Sequence, residues 1–187
     1  MKICLVNGSP HEKGSTYTVL KAMESIFQNH AIDTEFFWIQ NKPIAECIGC
    51  YQCQVKGHCV FKDVVQDFLE VAKTCDAFIF GAPVHFASIN ASMSAFMDRA
   101  FYINQQAGLH YFEHKPGAAI VCARRAGTTA ALDGLNKYLL YAQMPIVSSR
   151  YWNMVHAQTP NDLFKDQEGL QIIRVLAKNM IWLLKCI

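Results

Sequence analysis

Charge of one sign is what this sequence has least of: 17 lysines and arginines stand against 15 aspartates and glutamates, a formal net charge of +2. The basic residues are scattered rather than clustered, which removes the electrostatic footprint of a nucleic-acid binder. Long hydrophobic runs are missing too. The most apolar stretch near the C-terminus, Asn179 to Ile187, is interrupted by Lys185 and falls short of the roughly 20 residues that span a bilayer. The opening segment Met1-Lys2-Ile3-Cys4-Leu5-Val6 meets Asn7-Gly8 too early for a secretory signal and reads as a strand. No Pro/Gly/Ser-rich linker divides the 187 residues, so a single domain over 1–187 with one core is expected. The balance implies a soluble protein with neither nucleic acid nor membrane as a partner.

Cysteine, in contrast, is plentiful at eight. Cys4, Cys75, Cys122 and Cys186 stand singly inside apolar runs and read as reduced core residues. Without an export signal, that use of thiols points to the cytoplasm.

Along the chain, short β-branched or aromatic runs alternate with stretches of helical period. Strands are predicted at Lys2–Val6, Thr34–Ile39, Ala77–Gly81, Ala118–Cys122 and Ile146–Arg150. Helical spacing is carried by Val19, Leu20, Met23, Ile26 and Phe27, by Leu132, Leu135, Leu139 and Ala142, and by Leu170, Ile173, Val175, Leu176, Met180 and Leu184. Strands as apolar as Ala77-Phe78-Ile79-Phe80 need cover on both faces, which alternating helices give to a parallel sheet. Five strands and five helices predict a doubly wound α/β fold, whose ligands lie beyond the carboxyl ends of the strands.

The loop after the first strand, Gly8-Ser9-Pro10-His11-Glu12-Lys13-Gly14-Ser15-Thr16, combines two glycines with hydroxyls at the start of a helix. A helix N-terminus offers N–H donors and a favourable dipole to an anion. The lysine of a nucleotide-triphosphate loop is absent after Gly14, as is the G-x-G-x-x-G dinucleotide fingerprint, so a monophosphate is the better fit. Ser9, Ser15 and Thr16 are the expected phosphate contacts. The plainer reading is that Ser15 or Thr16 simply caps the helix.

Between the second strand and the next helix, Cys47, Cys50, Cys53 and Cys59 form C-x2-C-x2-C-x5-C. Four soft ligands so spaced suit an iron–sulfur cluster, although the last gap is longer than in a ferredoxin run and no proline follows. Tetrahedral zinc, an internal redox pair and free thiols in a substrate-lining loop are the alternatives. Lys56-Gly57-His58 shapes the turn, with His58 available as a substitute ligand.

The motif N-G-S-P-x-x-x-G-S-T resembles the phosphate loop of the NADPH-dependent FMN reductase branch of flavodoxin-like proteins. Gly81-Ala82-Pro83-Val84-His85-Phe86 resembles that family's second flavin loop, and Asn90 through Asp98-Arg99-Ala100-Phe101-Tyr102 the helix after it. Cys122-Ala123-Arg124-Arg125-Ala126-Gly127 stands at the third loop, and Tyr151-Trp152-Asn153-Met154 resembles a further segment. The cysteine motif is similar to that of iron–sulfur flavoproteins, a branch in which it holds a [4Fe-4S] cluster near FMN.

The resemblance implies a five-stranded parallel sheet in the order 2-1-3-4-5. It implies FMN held by Ser9, His11, Gly14, Ser15, Thr16, Tyr17, Pro83, Val84, His85, Phe86, Ala123, Arg124, Arg125 and Gly127, with His85 standing where the family usually has an aromatic residue. One of Arg124 and Arg125 is expected to face the flavin. The implied activity is NAD(P)H-dependent transfer of electrons through FMN to a small acceptor, NAD(P)H binding only transiently. An electron carrier with a cluster on Cys47, Cys50, Cys53 and Cys59, serving another redox protein, is the alternative. Because the chemistry belongs to the flavin, no catalytic side chain is assigned, although His85, His110, His114 and His156 are available. Homodimers or homotetramers are implied as well, with Phe101 to Phe112 and Tyr151-Trp152 as contact candidates.

Overall fold

The computed structural model describes residues 1–187. Six strands form: β1 (Lys2–Asn7), β2 (Asp33–Trp38), β3 (Ala77–His85), β4 (Ser88–Ile89), β5 (Gly117–Ala123) and β6 (Met154–His156). Five of them run parallel in the order β2-β1-β3-β5-β6, while β4 folds back antiparallel on β3. With that hairpin strand set aside, the order is the 2-1-3-4-5 expected of a flavodoxin-like sheet.

The helices are α1 (Ser15–Gln28), α2 (Gln52–Lys56), α3 (Val64–Ala72), α4 (Ala91–Gln106), α5 (Thr128–Tyr141) and α6 (Gln167–Cys186), with a 3-10 turn at Pro160–Lys165. Side chains on a strand alternate between faces, and both faces of the sheet are covered. Ile3 and Leu5 of β1 pack with Val19, Leu20, Met23 and Phe27 of α1 and Ile173 and Leu176 of α6. Cys4 and Val6 pack on the opposite face with α3, α4 and α5. There Phe68, Phe78, Phe80, Phe96, Phe101 and Phe112 form a continuous aromatic core, Phe101 stacked on Phe112 at 4.6 Å. Each such ring contributes about 1.5–3 kcal/mol by leaving water.

Four expectations are corrected. The fifth parallel strand is Met154–His156 rather than Ile146–Arg150, for Ile146 makes only an isolated bridge to Gly117. The chain then bulges away from the sheet edge. Asn153 staples the bulge, its amide donating to Val147 O (3.3 Å) and its carbonyl accepting from Ser149 N (3.1 Å). Second, β3 continues through Pro83 to His85 instead of ending at Gly81. The last β1 partner of β3 is Asn7, opposite Gly81, so the missing N–H of Pro83 breaks no bond to β1. Third, there are six α-helices, the extra one being the single short turn α2 inside the cysteine segment. Fourth, Cys186 is exposed at the end of α6, while Cys4, Cys75 and Cys122 are buried as expected. No helix is long and apolar enough to cross a membrane.

Candidate functional site

The carboxyl ends of β1, β3 and β5 converge at one edge of the sheet, and close approach there is built into the residues. Gly8 N donates to Gly81 O at 2.8 Å. A Cβ on Gly8 would lie 2.5 Å from Met93 Sδ and 2.8 Å from Gly81 O, so no other residue fits without movement. The loop that leaves β1 is shaped from within. Buried Asn7 accepts from Ser9 N (3.1 Å) through its side-chain carbonyl and donates to Glu12 O (3.0 Å) through its amide. Ser9 Oγ accepts from His11 N (3.1 Å), and the Trp38 indole N–H donates to Ser9 O (2.8 Å).

The loop delivers the chain into α1 with its amides open. Gly14 is the N-cap and supplies no side chain, no acidic residue sits in the first turn, and the first bond of the helix runs from Thr18 N to Gly14 O at 3.1 Å. The N–H groups of Ser15, Thr16 and Tyr17 are therefore left without a helical acceptor, and an anion is the acceptor that suits them.

Around this cradle lies an open cavity of about 730 Å³, within the usual range for a cofactor site. Of the sequence-predicted residues, Ser9, His11, Gly14, Ser15, Thr16, Pro83, Val84, His85 and Arg124 line it. Five do not. The Tyr17 ring turns away to pack edge-on against Phe36 at 5.0 Å, leaving its backbone N–H as its contribution. Phe86 stands fully exposed at the tip of the β3–β4 hairpin. Ala123 is buried within β5, and Arg125 faces a neighbouring cleft of about 480 Å³ that Arg124 also borders. Gly127 has φ of +93°, and a Cβ there would meet Ala87 Cα at 2.7 Å, so its task is to let the hairpin tip close on α5.

That tip is itself strained. Phe86 and Ala87 have φ of +49° and +59°, the left-handed pair that a two-residue hairpin turn demands and that asparagine and glycine normally supply. Such geometry is concentrated at ligand sites. Neither Arg124 nor Arg125 forms an ion pair, so both are free for an anionic ligand.

The far wall comes from residues the sequence reading did not assign to the site: Trp38 at the end of β2, Asn41 after it, and Ala157, Gln158, Thr159 and Pro160 after β6. A capping box ties the latter segment, Asp162 accepting from both Thr159 N and Thr159 Oγ1 at 2.8 Å. Lys165 and then Thr159 hold the Asp162 carboxyl well below the usual carboxylate range. At the floor, burial pushes the Cys122 thiol up to about 12. A thiol with that pKa carries almost no thiolate near neutrality and is inert. In protein purified in air, brief iodoacetamide treatment at about pH 8 should therefore modify the exposed Cys47, Cys50 and Cys186 and spare Cys122. Peptide mass mapping checks this, and early labelling of Cys122 would contradict it.

A second, smaller pocket gathers all four clustered cysteines. Cys47, Cys50, Cys53 and Cys59 line it together with Ile48, Phe61, Arg99 and Tyr102. Cys53 is buried in α2, and desolvation pushes its thiol up; Cys59 is half-buried, and Cys47 and Cys50 are exposed. The sulfurs are brought to one pocket without being drawn into a coordination shell, since no three metal-ligating side chains are grouped closely enough to hold an ion. The pocket has room for little more than a water, about 20 Å³, so it would have to open to admit a cluster. The donor chemistry fits a cluster: four thiols, apolar surroundings and a buried N–H donor. His58 does not line the pocket, and its Nδ1 lies 2.9 Å from Cys59 O. Of the candidate contact segments, Phe101 and Phe112 belong to the core. Tyr151 and Trp152 are half exposed and packed edge to face at 4.3 Å.

A parallel sheet of this order, with an anion cradle after the first strand and a cavity over the strand ends, defines a flavodoxin-like flavoprotein. The chain belongs to the NADPH-dependent FMN reductase family, whose model matches residues 1–159. FMN is its cofactor, and a nicotinamide co-substrate fits the family. The chain is similar to an iron-sulfur flavoprotein of Methanocaldococcus jannaschii, 28% identical over 193 aligned positions that cover all of this chain and 99% of that one. An iron-sulfur flavoprotein of Methanosarcina thermophila is 23% identical, with 100% and 97% covered. Among solved structures, a flavodoxin from the domain Archaea matches with a TM-score of 0.64 at 16% identity, covering 99% of each chain.

Proposed function

We propose that this chain is an oxidoreductase with two redox groups, FMN in the Ser9–Thr16 cavity and an iron–sulfur cluster on Cys47, Cys50, Cys53 and Cys59, and that it carries electrons to a partner protein. The observation that carries the reading is the convergence of four thiols on one pocket in a chain that also has a complete anion cradle. The names of the two archaeal relatives support it. Free thiols throughout also fit a reducing compartment, the cytoplasm.

When bound, FMN supplies reversible electron transfer of a kind no side chain offers. The residues supply binding and orientation. Ser15 and Thr16 offer hydroxyls, and with Tyr17 backbone N–H groups, to the phosphate. Pro83 and Val84 would present backbone to the ring system and His85 its imidazole, since all three line the cavity. Arg124 brings a permanent positive charge that favours negative charge on the ligand beside it. No side chain is required as acid or base.

A second reading keeps FMN and replaces the carrier role by NAD(P)H-dependent reduction of a small acceptor. Two unpaired arginines beside an open cavity favour it, since they suit a dinucleotide's phosphates. One preparation decides between them: protein purified without oxygen, assayed for FMN, iron, acid-labile sulfide and bleaching by NADH or NADPH. The carrier reading expects one FMN and about four irons per chain. A metal-free preparation that turns over fully with a nicotinamide would sink it.

A further inference from the structure

Arg99 is the largest fully buried side chain of the molecule, at 1% exposure. Burying a guanidinium costs several kcal/mol unless it is paired, and its partners show what it is for. Both carboxylate oxygens of Asp63 accept from it, at 2.5 Å from Nη1 and 2.9 Å from Nη2. Nη1 also donates to Ala45 O (3.3 Å), and the second N–H of Nη2 is shared between Phe61 O (3.4 Å) and Cys59 Sγ (3.5 Å). The guanidinium lies 4.9 Å from the centre of the Phe61 ring. Apart from Asp63, which caps α3 by accepting from Val65 N, all these partners lie on the segment that carries the four cysteines. One donor is left over: Nε–H is buried without an acceptor, a defect worth about 1–3 kcal/mol. Arg99 itself lines the four-cysteine pocket.

Resting on the two-centre reading above, we propose that Arg99 is a positioning residue for the four-cysteine centre. Its Nη2–H donates to the Cys59 sulfur, and its Nε–H is reserved for a second sulfur acceptor that the assembled centre brings. Asp63 fixes the guanidinium plane and offsets its charge, so what reaches the centre is a pair of directed donors rather than a bare cation. Hydrogen bonds to the sulfurs draw negative charge away from them, favour the reduced form and raise the reduction potential. Lysine keeps the charge but lacks the fixed fork of donors.

The test is Arg99→Lys in protein purified without oxygen, with both redox centres loaded. At fixed ambient potential the reduced-to-oxidised ratio of the iron centre, read by electron paramagnetic resonance, should fall roughly tenfold, a shift of about 59 mV for a one-electron centre. Iron release to a chelator should quicken by a similar factor, while the FMN potential stays at its wild-type value. A wild-type iron potential together with wild-type iron release overturns the proposal. Should lysine unfold the chain, wild-type protein labelled with guanidino-15N arginine gives an independent reading: electron–nuclear double resonance should detect 15N coupled to the reduced centre, and its absence overturns the role. Wild-type protein that assembles no iron and sulfide overturns the four-cysteine reading itself, and the metal assay distinguishes that failure from a failure of Arg99 alone.

Discussion

A chain carrying Ser15→Ala and Thr16→Ala together should bind FMN about a hundredfold to ten-thousandfold more weakly than the parent. A hydrogen bond to a charged group contributes about 1.5–3 kcal/mol, two hydroxyls are lost, and about 1.4 kcal/mol is a factor of ten in affinity. Both residues line the cavity at the open end of α1. The loop should survive the change, because its own bonds run through Asn7, Ser9 and Trp38 and not through these hydroxyls. Titrating the apoprotein with FMN by fluorescence checks the affinity, and a thermal melt of the apoprotein checks that the fold is intact. Thr16 is buried, and its methyl stands 2.9 Å from where a Cβ on Gly81 would lie. Thr16→Ser, which keeps the hydroxyl and gives up the methyl, separates packing from binding and should retain most of the affinity. An unaltered dissociation constant in the double alanine variant would remove the phosphate from this loop.

The anion-cradle side of the cavity was legible because it is local: two glycines, a proline and three hydroxyls within one strand–loop–helix unit carry their own geometry. The far side was not, and one misplaced strand explains much of the loss. Ile146-Val147-Ser148-Ser149-Arg150 has the composition of a strand start, and Val147 N does donate to Gly117 O at 2.8 Å. Nothing in that composition reveals that Asn153 pins the chain into a bulge before Met154 rejoins β5. With the strand set too early, the segment after it, Ala157–Pro160, carried no sign that it reaches the cavity. Trp38 and Asn41 were missed for a different reason, because which residues of β2 and its exit face β1's loop depends on a long-range register. Gly127 and Phe86 were legible as special positions but not in their roles. A glycine at positive φ looks the same in sequence whether it yields to a cofactor or, as here, to Ala87.

The second large effect concerns Asp63. Asp63→Ala should destabilise the apoprotein by about 3–5 kcal/mol, the cost of stranding a buried charge, because it leaves the Arg99 guanidinium without its two shortest bonds and also removes the α3 cap. At about 2–4 °C per kcal/mol for a chain of this size, the melting temperature should drop by roughly 6–20 °C. The measurement belongs on cluster-free protein, so that loss of metal does not contribute. Replacing both partners, as in Asp63→Ala with Arg99→Met, should recover part of the loss, since an apolar pair of fitting shape can stand in for a buried ion pair. An Asp63→Ala chain that melts with the wild type would mean the pair is solvated and inconsequential.

The cysteine segment is also notable for how little of it the sheet depends on. Between Gln40 and Lys62 only Cys53 is buried, and no strand pairing passes through these residues. The segment is an excursion between β2 and α3 that touches the core at few points, Ile44, Cys53 and Cys59 among them. Changes confined to it would leave β1, β3 and β5 presenting the same strand ends, so the cavity over those ends and the four-cysteine pocket can be altered one at a time. In a variant stripped of its cysteines, the residue left with the wrong company would be Arg99, rooted in α4 with one sulfur acceptor fewer and a buried Nε–H already lacking one.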